Sequence, residues 1–453
     1  MSVRVSAHAT PRIAVGESVA GHDAEALLAA HGSPLYVYDL DVIRRRVALL
    51  RAALSERTEV AFAVKANPSP AVLETLRAAG VGADVASGGE LAAVLRAGFD
   101  PGAVCFTGPG KTDQEIAAAL HARIRALTIE SLDELESVMG MTDLAVEAMA
   151  DGTPAPPQGL MLRLAVTAGA EERPIIGAAG SAKFGLTDDE AGEALGRLQA
   201  VGALAPGGPF RMLGFHAFGA SNVLDVQVLV AGLRDLAARA EALGSDHGLD
   251  VWLIDAGGGL GIPYAAEEPE LDLAPLGEGI AAEVATWSGR PALREARVLL
   301  EPGRWLVGPA GAYLTRVVRT KVRDGRAIAI TDGGIHHLAR PVLVGEQQRL
   351  VPVGATAART GDAAADALGG TADALGGRAL PVDVVGPLCT GLDVLATGVL
   401  APLPRAGDTY AVLDTGAYGF TESMPLFLSH PMPAEVGLDG DSVRISRERT
   451  EPT

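Results

Sequence analysis

The feature that most constrains the fold of this chain is a regular alternation of short apolar runs with helix-like segments between residues 60 and 300. Each run has the length and composition of a buried strand, and each is followed by a longer stretch with helical spacing. The predicted strands are 60–64, 82–85, 103–106, 126–129, 159–165, 212–218, 251–254 and 297–300. Their number and a span of roughly 250 residues favour a (β/α)8 barrel over the alternative, a doubly wound open sheet.

The sequence changes character after residue 305. Segments 313–322, 327–331, 382–385 and 410–413 are β-rich with Gly and Pro between them, which predicts a C-terminal β domain over 306–453. The barrel then occupies 41–305, and the first 40 residues, with a strand-like run at 34–38, are expected to pack with the β domain. Segment 354–377 lacks apolar bulk and repeats Ala-Asp-Ala-Leu-Gly-Gly, so it is predicted to be a mobile surface insertion.

Charge and cysteine content exclude some classes of partner. A formal net charge of −19 argues against nucleic acid and anionic membranes as partners, because both require basic patches. Two cysteines, Cys105 and Cys389, do not indicate a disulfide framework and fit a reducing cytoplasm. The first residues do not have the pattern of a signal peptide, and no apolar run is long enough to span a membrane, so a cytoplasmic protein is expected.

Lysine 65 follows the first predicted strand directly. Burying an unpaired ammonium is costly, so a lysine in such a place either has a function or extends out of the strand end to solvent. In (β/α)8 barrels the chemistry gathers at the C-terminal ends of the strands. Other reactive residues follow strands six, seven and eight, in the segments 216–221, 255–261 and 301–304. Whether Lys65 has a function or only extends to solvent depends on whether these residues lie beside it.

The residues at these strand ends form a specific combination. A glycine run at 257–259 lets backbone N–H groups approach a phosphate, and Arg304 is a fixed cation suited to the same group. Lys65 can form an imine with an aldehyde, and Glu301 can pair with a pyridinium nitrogen. Together they predict a site for pyridoxal 5'-phosphate, and no metal is expected.

Six segments in order along the chain resemble the fold type III pyridoxal-phosphate decarboxylases. This group contains the diaminopimelate, ornithine and arginine decarboxylases together with alanine racemase, and the diaminopimelate decarboxylase branch is the most similar. The resemblance extends from about residue 34 to 430. The segments are Ala63-Val64-Lys65-Ala66-Asn67, Ser181-Ala182-Lys183-Phe184-Gly185, Asp255-Ala256-Gly257-Gly258-Gly259, Glu301-Pro302-Gly303-Arg304, Gly386-Pro387-Leu388-Cys389 and Asp414-Thr415-Gly416-Ala417-Tyr418-Gly419.

The resemblance implies a role for each matched residue. Lys65 forms the imine with the cofactor, and Glu301 faces the pyridine nitrogen and keeps it protonated. The ring then accepts the electron pair left when CO2 departs. Racemases of this fold place an arginine there, so Glu301 favours decarboxylation over racemisation. The cofactor phosphate is expected to contact Ser221, Gly257, Gly258, Gly259, Arg304 and the Tyr418 hydroxyl.

The resemblance also assigns the two cysteines differently. Cys389 is the candidate acid that protonates the substrate Cα, and in the family it reaches the site from the second subunit. A homodimer with a shared active site is therefore implied. The alternative for Cys389 is a small buried hydrophobe, which is a frequent role of free cysteine. Cys105 has no such context and is predicted to lie in the core.

Three residues near the cofactor retain alternatives. Asp84 is expected close to the cofactor, or else caps the following helix. The family's ring-stacking histidine aligns with Phe218, whereas the histidine of this chain is His216, two residues earlier. Strand alternation puts both on one face. Phe218 is predicted to stack on the cofactor, with His216 deeper.

The substrate end of the site departs from the family. Arg340 resembles the arginine that binds a substrate carboxylate, and His337 beside it is expected to line the same pocket, although His336 and His337 are surface residues in the alternative. Thr390 stands where the relatives have a glutamate or aspartate that binds a distal ammonium. It cannot supply that charge, and Asp393 is the candidate substitute.

The sequence thus predicts a pyridoxal-phosphate-dependent α-decarboxylase. Its substrate is a diaminopimelate-like or modified amino acid of a biosynthetic pathway, free or tethered to a carrier protein. Three alternatives stay open: diaminopimelate decarboxylase of lysine biosynthesis, an amino-acid racemase of the same fold, and a non-catalytic regulatory homologue.

Overall fold

The computed structural model describes residues 10–146, 153, 156–166, 183–265, 267–324, 326–345, 347–354 and 379–451. Residues 1–9 and the predicted insertion beyond Gly354 lie outside this set, as do Ser181 and Ala182 of the second matched segment. The described part of the chain contains a closed parallel barrel and a separate β-sheet. The predicted fold class is confirmed.

Eight parallel strands form the barrel, and it closes where Thr58 of the first strand pairs with Val298 of the last. Each predicted strand is present, three of them with the predicted bounds and the others with ends shifted by at most two residues. A preceding strand, Leu35–Asp39 (β1), belongs to the other sheet. The barrel strands are Thr58–Ala63 (β2), Gly82–Val85 (β3), Val104–Phe106 (β4), Ala126–Ile129 (β5), Gln158–Arg163 (β6), Phe210–His216 (β7), Leu253–Asp255 (β8) and Arg297–Leu300 (β9).

Helices cover the outside of the barrel and bury one face against it. Their first turns are fixed by side-chain caps, as at Thr112 and Thr187, each of which forms a reciprocal pair with the glutamate three residues later. The helices are Ala24–His31 (α1), Leu40–Ala53 (α2), Pro70–Ala78 (α3), Gly88–Arg96 (α4), Asp113–Ala122 (α5), Leu132–Gly140 (α6), Thr142–Val146 (α7), Asp188–Ala200 (α8), Val226–His247 (α9), Leu273–Thr286 (α10), Arg304–Val307 (α11) and Arg340–Val344 (α12).

The interior of the barrel is filled by side chains from its own strands. Ala61, Cys105, Met161 and Leu299 belong to one buried cluster there. Cys105 is 1% exposed, which confirms its prediction as a core residue. The barrel is therefore packed, and only its two ends are available for polar groups.

The second sheet contains nine strands among the described residues. Strand β1 lies at its centre, antiparallel to Gly311–Arg323 and parallel to Ala434–Asp439, so residues before the barrel are joined to residues after it. The remaining strands are Gly311–Arg323 (β10), Arg326–Thr331 (β11), Leu350–Val353 (β12), Leu380–Val385 (β13), Val394–Ala401 (β14), Thr409–Leu413 (β15), Ala434–Asp439 (β16) and Ser442–Arg447 (β17). Four of these strands, β12, β14, β16 and β17, were not predicted from the sequence because they are short or interrupted by glycine.

The C-terminal ends of β2 and β7 differ from the prediction in a way that affects the site. Strand β2 ends at Ala63, and Lys65 lies in a single 3-10 turn, Val64–Ala66. Strand β7 ends at His216, where the chain leaves the barrel. The argument that strand alternation places His216 and Phe218 on one face is therefore wrong, because Phe218 belongs to the loop.

No helix of the described residues is long and apolar enough to cross a membrane.

Candidate active site

Lysine 65 occupies the C-terminal mouth of the barrel. Its Nζ lies 3.5 Å from Asp84 Oδ2 at the end of β3, and 5.7 Å from the centre of the Phe218 ring. Burial opposes the charged form of Lys65, but the negative charges of Asp84 and Glu301 outweigh it and raise the pKa of the ammonium. Lys65 thus lies beside Asp84 at the mouth, with 43% of its side chain exposed.

Asp84 does not cap the helix that follows it. The N-cap of α4 is Ser87, whose hydroxyl accepts a hydrogen bond from the N–H of Glu90. Asp84 is 1% exposed and its Oδ1 has no hydrogen-bond partner. The capping alternative is wrong, and the carboxylate is free to act at the mouth beside Lys65.

Three buried titratable groups lie below Lys65 at the ends of β7, β8 and β9. His216 Nε2 lies 3.7 Å from Glu301 Oε2, and Asp255 accepts a hydrogen bond of 2.9 Å from the N–H of Gly257. One ligand atom from each of His216, Asp255 and Glu301 lies within 4.8 Å of the other two. This spacing would also suit a metal ion.

The two carboxyl groups of this cluster have opposite pKa shifts. Burial and the charge of Glu301 raise the pKa of Asp255 well above its usual value, so Asp255 keeps its proton. Burial alone would raise the pKa of Glu301 as well, but His216 and Lys65 lower it to about 2. Burial lowers the pKa of His216, which is therefore neutral. The cluster presents one ionised carboxylate, that of Glu301.

A cavity opens between these groups and a second polar cluster. Arg304 lies at its other side and donates to Ser221 Oγ at 3.2 Å and to Tyr264 Oη at 2.7 Å. The guanidinium carbon is 4.8 Å from the centre of the Tyr418 ring. The cavity is lined by Ala63, Lys65, Phe218, Ser221, Asn222, Gly258, Gly259, Leu260, Glu301, Gly303, Arg304 and Tyr418.

The glycine run after β8 brings backbone close to the neighbouring strand ends. Gly257 and Gly259 have φ values of +64° and +87°, which favour glycine. A Cβ on Gly258 would lie 2.4 Å from the carbonyl oxygen of Glu301. Only glycine fits this path, and the backbone of 257–259 therefore forms one wall of the cavity next to Arg304.

Tyrosine 418 reaches the mouth from the β domain. Its N–H donates to the carbonyl of Ala66 at 2.9 Å, and the Asn67 side-chain amide donates to the carbonyl of Gly416 at 2.8 Å. The Asn67-Pro68 turn after Lys65 thus holds the 416–418 loop in place. This contact explains why the two segments, far apart in sequence, serve one site.

Several buried polar atoms around the cavity have no protein partner. Glu301 Oε1 and Arg304 Nε are among them, as are both ring nitrogens of His216. Leaving such atoms unpaired is costly, which indicates that a bound group completes their hydrogen bonds. A planar ring with a basic nitrogen towards Glu301 and a phosphate towards Ser221, Gly258 and Arg304 fits these donors and acceptors. The residues present therefore fit pyridoxal phosphate.

The predicted substrate residues lie in different surroundings. Arg340 is buried, pairs with Glu422 at 3.0 Å, and shares the rings of Tyr264 and Tyr418 with Arg304. His337 is also buried, and both its ring nitrogens are engaged, by Tyr313 Oη at 3.1 Å and the Pro431 carbonyl at 3.0 Å. Arg340 thus lies beside two tyrosines that also contact Arg304, and His337 offers no free ring nitrogen.

The loop between β13 and β14 lies apart from this cavity. Cys389 is exposed, and it is not among the cavity-lining residues of the described part of the chain. Thr390 Oγ1 accepts from the N–H of Leu392 at 3.2 Å, a local bond within the loop. Asp393 is 3% exposed, and its carboxylate is engaged by backbone N–H groups, which argues against its suggested role with a distal ammonium.

Sequence reasoning missed some residues of the mouth. Tyr264, on the loop after β8, is the buried partner of Arg304. Arg163 at the end of β6 pairs with Glu130 at 3.0 Å and lies 4.6 Å above the Phe184 ring. A signal existed for the pair, because Glu130 directly follows one predicted strand and Arg163 lies inside another. No pattern in the sequence indicated Tyr264.

Known proteins that are similar to this chain are pyridoxal-dependent decarboxylases, which agrees with a site that fits pyridoxal phosphate. The sequence profile described as "Pyridoxal-dependent decarboxylase, pyridoxal binding domain" matches residues 40–308. A diaminopimelate decarboxylase of Methanothermobacter thermautotrophicus is 31% identical over 438 residues, which cover 95% of this chain and 92% of that protein. The L-glutamyl-[BtrI acyl-carrier protein] decarboxylase of Niallia circulans is 27% identical, covering 92% of this chain and 91% of that protein.

A solved structure extends the likeness to three dimensions. The crystal structure of diaminopimelate decarboxylase from Helicobacter pylori, complexed with L-lysine, is 26% identical to this chain. The two superpose with a TM-score of 0.78, and the match covers 94% of this chain and 96% of that one. The likeness therefore includes both the barrel and the β domain.

Proposed function

Because the chain belongs to the family of pyridoxal-dependent decarboxylases, we propose that it removes the α-carboxylate of an amino acid whose distal end is not a free ammonium. The relatives named above are decarboxylases, so the alternative of a non-catalytic regulator is set aside. A modified amino acid, such as one tethered to a carrier protein through its side-chain carboxyl, is the favoured substrate.

Pyridoxal 5'-phosphate is the proposed cofactor, and when bound it supplies a sink for the electron pair left by departing CO2. Lys65 Nζ would hold its aldehyde carbon. Arg304, Ser221, the 257–259 backbone and the Tyr418 hydroxyl would hold its phosphate. These assignments rest on the unpaired buried atoms of the cavity and on the resemblance of the matched segments.

Glutamate 301 would keep the proton on the cofactor's ring nitrogen. It is suited to this because its pKa is lowered to about 2, so it is ionised at neutral pH, while Asp255 behind it retains a proton. His216, whose Nε2 lies 3.7 Å from Glu301 Oε2, would orient the carboxylate once the cofactor is bound. A stable negative charge at this point favours decarboxylation over racemisation, for which a poorer sink suffices.

Phenylalanine 218 would cover one face of the cofactor ring. It lies 5.7 Å from Lys65 Nζ, and a Cβ on Gly257 would lie 3.1 Å from its Cδ2, so the ring packs on the glycine run. His216 is fully enclosed beneath Glu301. Both placements favour Phe218 over His216 as the stacking residue.

Cysteine 389 would give the proton that replaces CO2 at the substrate Cα, and it would do so in the site of a second copy of the chain. Two observations support this proposal. Cys389 is exposed and outside its own cavity, and the apolar side chain of Leu392 in the same loop is 62% exposed. Such residues are expected to be covered by a partner. A homodimer with shared sites follows.

One observation carries the substrate proposal: the loop that holds Cys389 lacks a free anion. Position 390 is threonine, and the nearby Asp393 carboxylate is committed to backbone N–H groups. A pocket built for a distal ammonium would normally pair it. Arg340, although paired with Glu422, keeps a cation near the cofactor end and would suit a carboxylate or carbonyl of the substrate.

Diaminopimelate is the second candidate substrate. It is favoured by the names of the similar proteins and by Arg340, because diaminopimelate carries a distal carboxylate beside its distal ammonium. The two candidate substrates differ because only diaminopimelate carries a distal ammonium that the pocket must neutralise. Activity assays with both substrates separate them.

The experiment is an assay of CO2 release by the purified protein loaded with pyridoxal phosphate. The panel contains meso-diaminopimelate, L-ornithine, L-lysine, L-glutamate and the γ-thioester of L-glutamate with N-acetylcysteamine, which mimics a carrier-bound side chain. We expect the thioester to turn over fastest. Fastest turnover of diaminopimelate would support the second candidate, and racemised product without CO2 would overturn the decarboxylase assignment.

A further inference from the structure

The loop 386–393, which carries Cys389, is anchored by the side chain of Asp393. The two oxygens of this buried carboxylate hold different segments. Oδ2 accepts a hydrogen bond of 2.7 Å from the N–H of Leu388, the residue before Cys389. Oδ1 accepts a hydrogen bond of 2.8 Å from the N–H of Ile335, in the turn that leads to α12. Asp393 therefore joins the cysteine loop to a separate segment of the β domain.

Two glycines make room for this carboxylate. A Cβ on Gly386 would lie 2.3 Å from Asp393 Oδ2, and a Cβ on Gly334 would lie 2.2 Å from Oδ1. Neither distance is compatible with a side chain. The glycines at both positions are therefore explained by the close approach of Asp393 and not by a turn conformation.

The backbone of the loop also closes on Asp393. Its carbonyl accepts from the N–H of Gly386 at 3.0 Å, and its N–H donates to the carbonyl of Thr390 at 3.3 Å. Leu388 is buried, while Cys389 beside it is exposed. The loop is thus held on both sides of Cys389, and the Cys389 side chain itself is exposed.

We propose that Asp393 is a positioning residue that holds the Cys389 thiol in one orientation for proton delivery. This proposal rests on the proposed role of Cys389. The role needs a carboxylate, since the two N–H groups bind two different oxygens and a neutral amide offers one acceptor. Asp393 contacts neither substrate nor cofactor, so it acts only through the loop.

The test compares the substitution Asp393→Asn with the unmodified holoenzyme. In the proposed dimer Cys389 lies in the partner's site, so its alkylation by iodoacetamide requires the loop to open. Loss of one buried hydrogen bond shifts that opening by about tenfold, so alkylation should become about tenfold faster. Buried Cys105 is the internal reference in the same digest. With the panel's fastest substrate in D2O, kcat should fall about ten- to a hundredfold at unchanged KM. Deuterium should enter the product Cα in both configurations.

Two further substitutions separate positioning from general destabilisation. Gly386→Ala places a methyl group against Oδ2 and should reproduce both effects, and the double variant should be no worse than the stronger single one. Asp383→Asn is the matched control in the same sheet. Asp383 also accepts a backbone N–H, that of Gly398 at 2.9 Å, but lies outside the loop. It should leave the alkylation rate and the stereochemistry unchanged.

The outcomes distinguish this inference from the proposed function. An Asp393→Asn enzyme with unmodified stereochemistry and alkylation rate would overturn the positioning role, while Cys389→Ala giving mixed stereochemistry would leave the function standing. If Cys389→Ala itself protonates stereospecifically at the rate of the unmodified enzyme, the acid is another group. The roles of Cys389 and Asp393 then both fail, while the decarboxylase function stands. Equal effects of Asp383→Asn and Asp393→Asn would assign the change to general stability and overturn the positioning role.

Discussion

The two ends of the barrel both carry charged side chains, and they differ in how those charges are satisfied. At the N-terminal end, Glu59 binds Arg125 and Arg297, each at 2.5 Å. Arg57 and Arg51 there donate to backbone carbonyls. At the C-terminal mouth, atoms of Asp84, Glu301, His216 and Arg304 are buried without a partner.

This difference separates a structural end from a functional one. Paired charges at the N-terminal end complete one another and need nothing from outside. The unpaired atoms at the mouth raise the free energy of the protein alone and become satisfied when a ligand arrives. Charge content by itself would not have distinguished the ends, and hydrogen-bond satisfaction does.

Replacement of Lys65 should cause the largest loss of activity among the changes at the mouth. Lys65→Ala removes the amine proposed to hold the cofactor, so CO2 release should fall by about a thousandfold or more. The visible absorption band that borohydride abolishes should also be absent, and mass spectrometry should find no reduced cofactor adduct. Lys321→Met, at an exposed lysine of β10, is the control. Normal turnover by Lys65→Ala would contradict the assignment.

A glutamate can be replaced by glutamine at each end of the barrel, Glu301 at the mouth and Glu59 at the N-terminal end. Glu301→Gln keeps the shape of the side chain but removes the charge proposed to face the ring nitrogen. We expect kcat to fall by about a hundredfold, because an electrostatic group that acts on developing charge has been lost. Cofactor binding should persist, as measured by absorbance titration. A variant with unchanged kcat would show that the mouth's ionised carboxylate is not used in the reaction.

His336, in the β domain, tests whether unpaired buried groups outside the barrel also affect the free energy of the protein. Both ring nitrogens of His336 are unpaired, and burial with the neighbouring His430 lowers its pKa to about 4. The unfolded chain protonates this histidine near pH 6.5. The stability it contributes is therefore present above pH 6.5 and is lost as the pH falls towards 4, by at most about 3 kcal/mol.

His336→Phe should flatten this part of the pH dependence. The measurement is urea unfolding from pH 7 to pH 4, with His247→Gln, in α9, as the control. An unchanged slope in His336→Phe would contradict the argument. A raised KM of His336→Phe for the substrates of the CO2-release assay would indicate that His336, like the unpaired groups of the mouth, contacts a ligand.

Glu59→Gln, the counterpart at the N-terminal end, should have the smallest effect. It weakens both ion pairs of a partly exposed carboxylate, so the free energy of unfolding should fall by about 1 kcal/mol in urea denaturation. The kcat should equal that of the unmodified enzyme. A large loss of activity from this change would remove the distinction between the two ends.

Much of the site could be predicted because strand ends of a barrel converge. Lys65, Glu301 and Arg304 follow predicted strands, and a parallel barrel brings all such ends to one mouth whatever the loops do. The resemblance of short segments then supplied their proposed roles. The prediction for residues 216 and 218 was wrong in its geometry because one strand ended two residues earlier than its apolar run.

Other features depended on contacts between distant segments. Tyr264 became a partner of Arg304 only through the path of the loop after β8. Asp393 looked like a substitute anion in sequence, whereas folding commits both its oxygens to backbone N–H groups. His337 likewise loses both ring nitrogens to Tyr313 and Pro431. Local sequence does not specify which donors a polar side chain will meet.

The sequence by itself determined the barrel, the following β domain and the placement of Lys65, Glu301 and Arg304 at the mouth. These follow from the periodicity of apolar residues and from the rule that parallel strands end together. The tertiary structure alone decided which of the polar groups are satisfied and which remain unpaired. Hydrogen bonding depends on distances of a few ångströms between segments far apart in the chain, and no one-dimensional pattern encodes those distances.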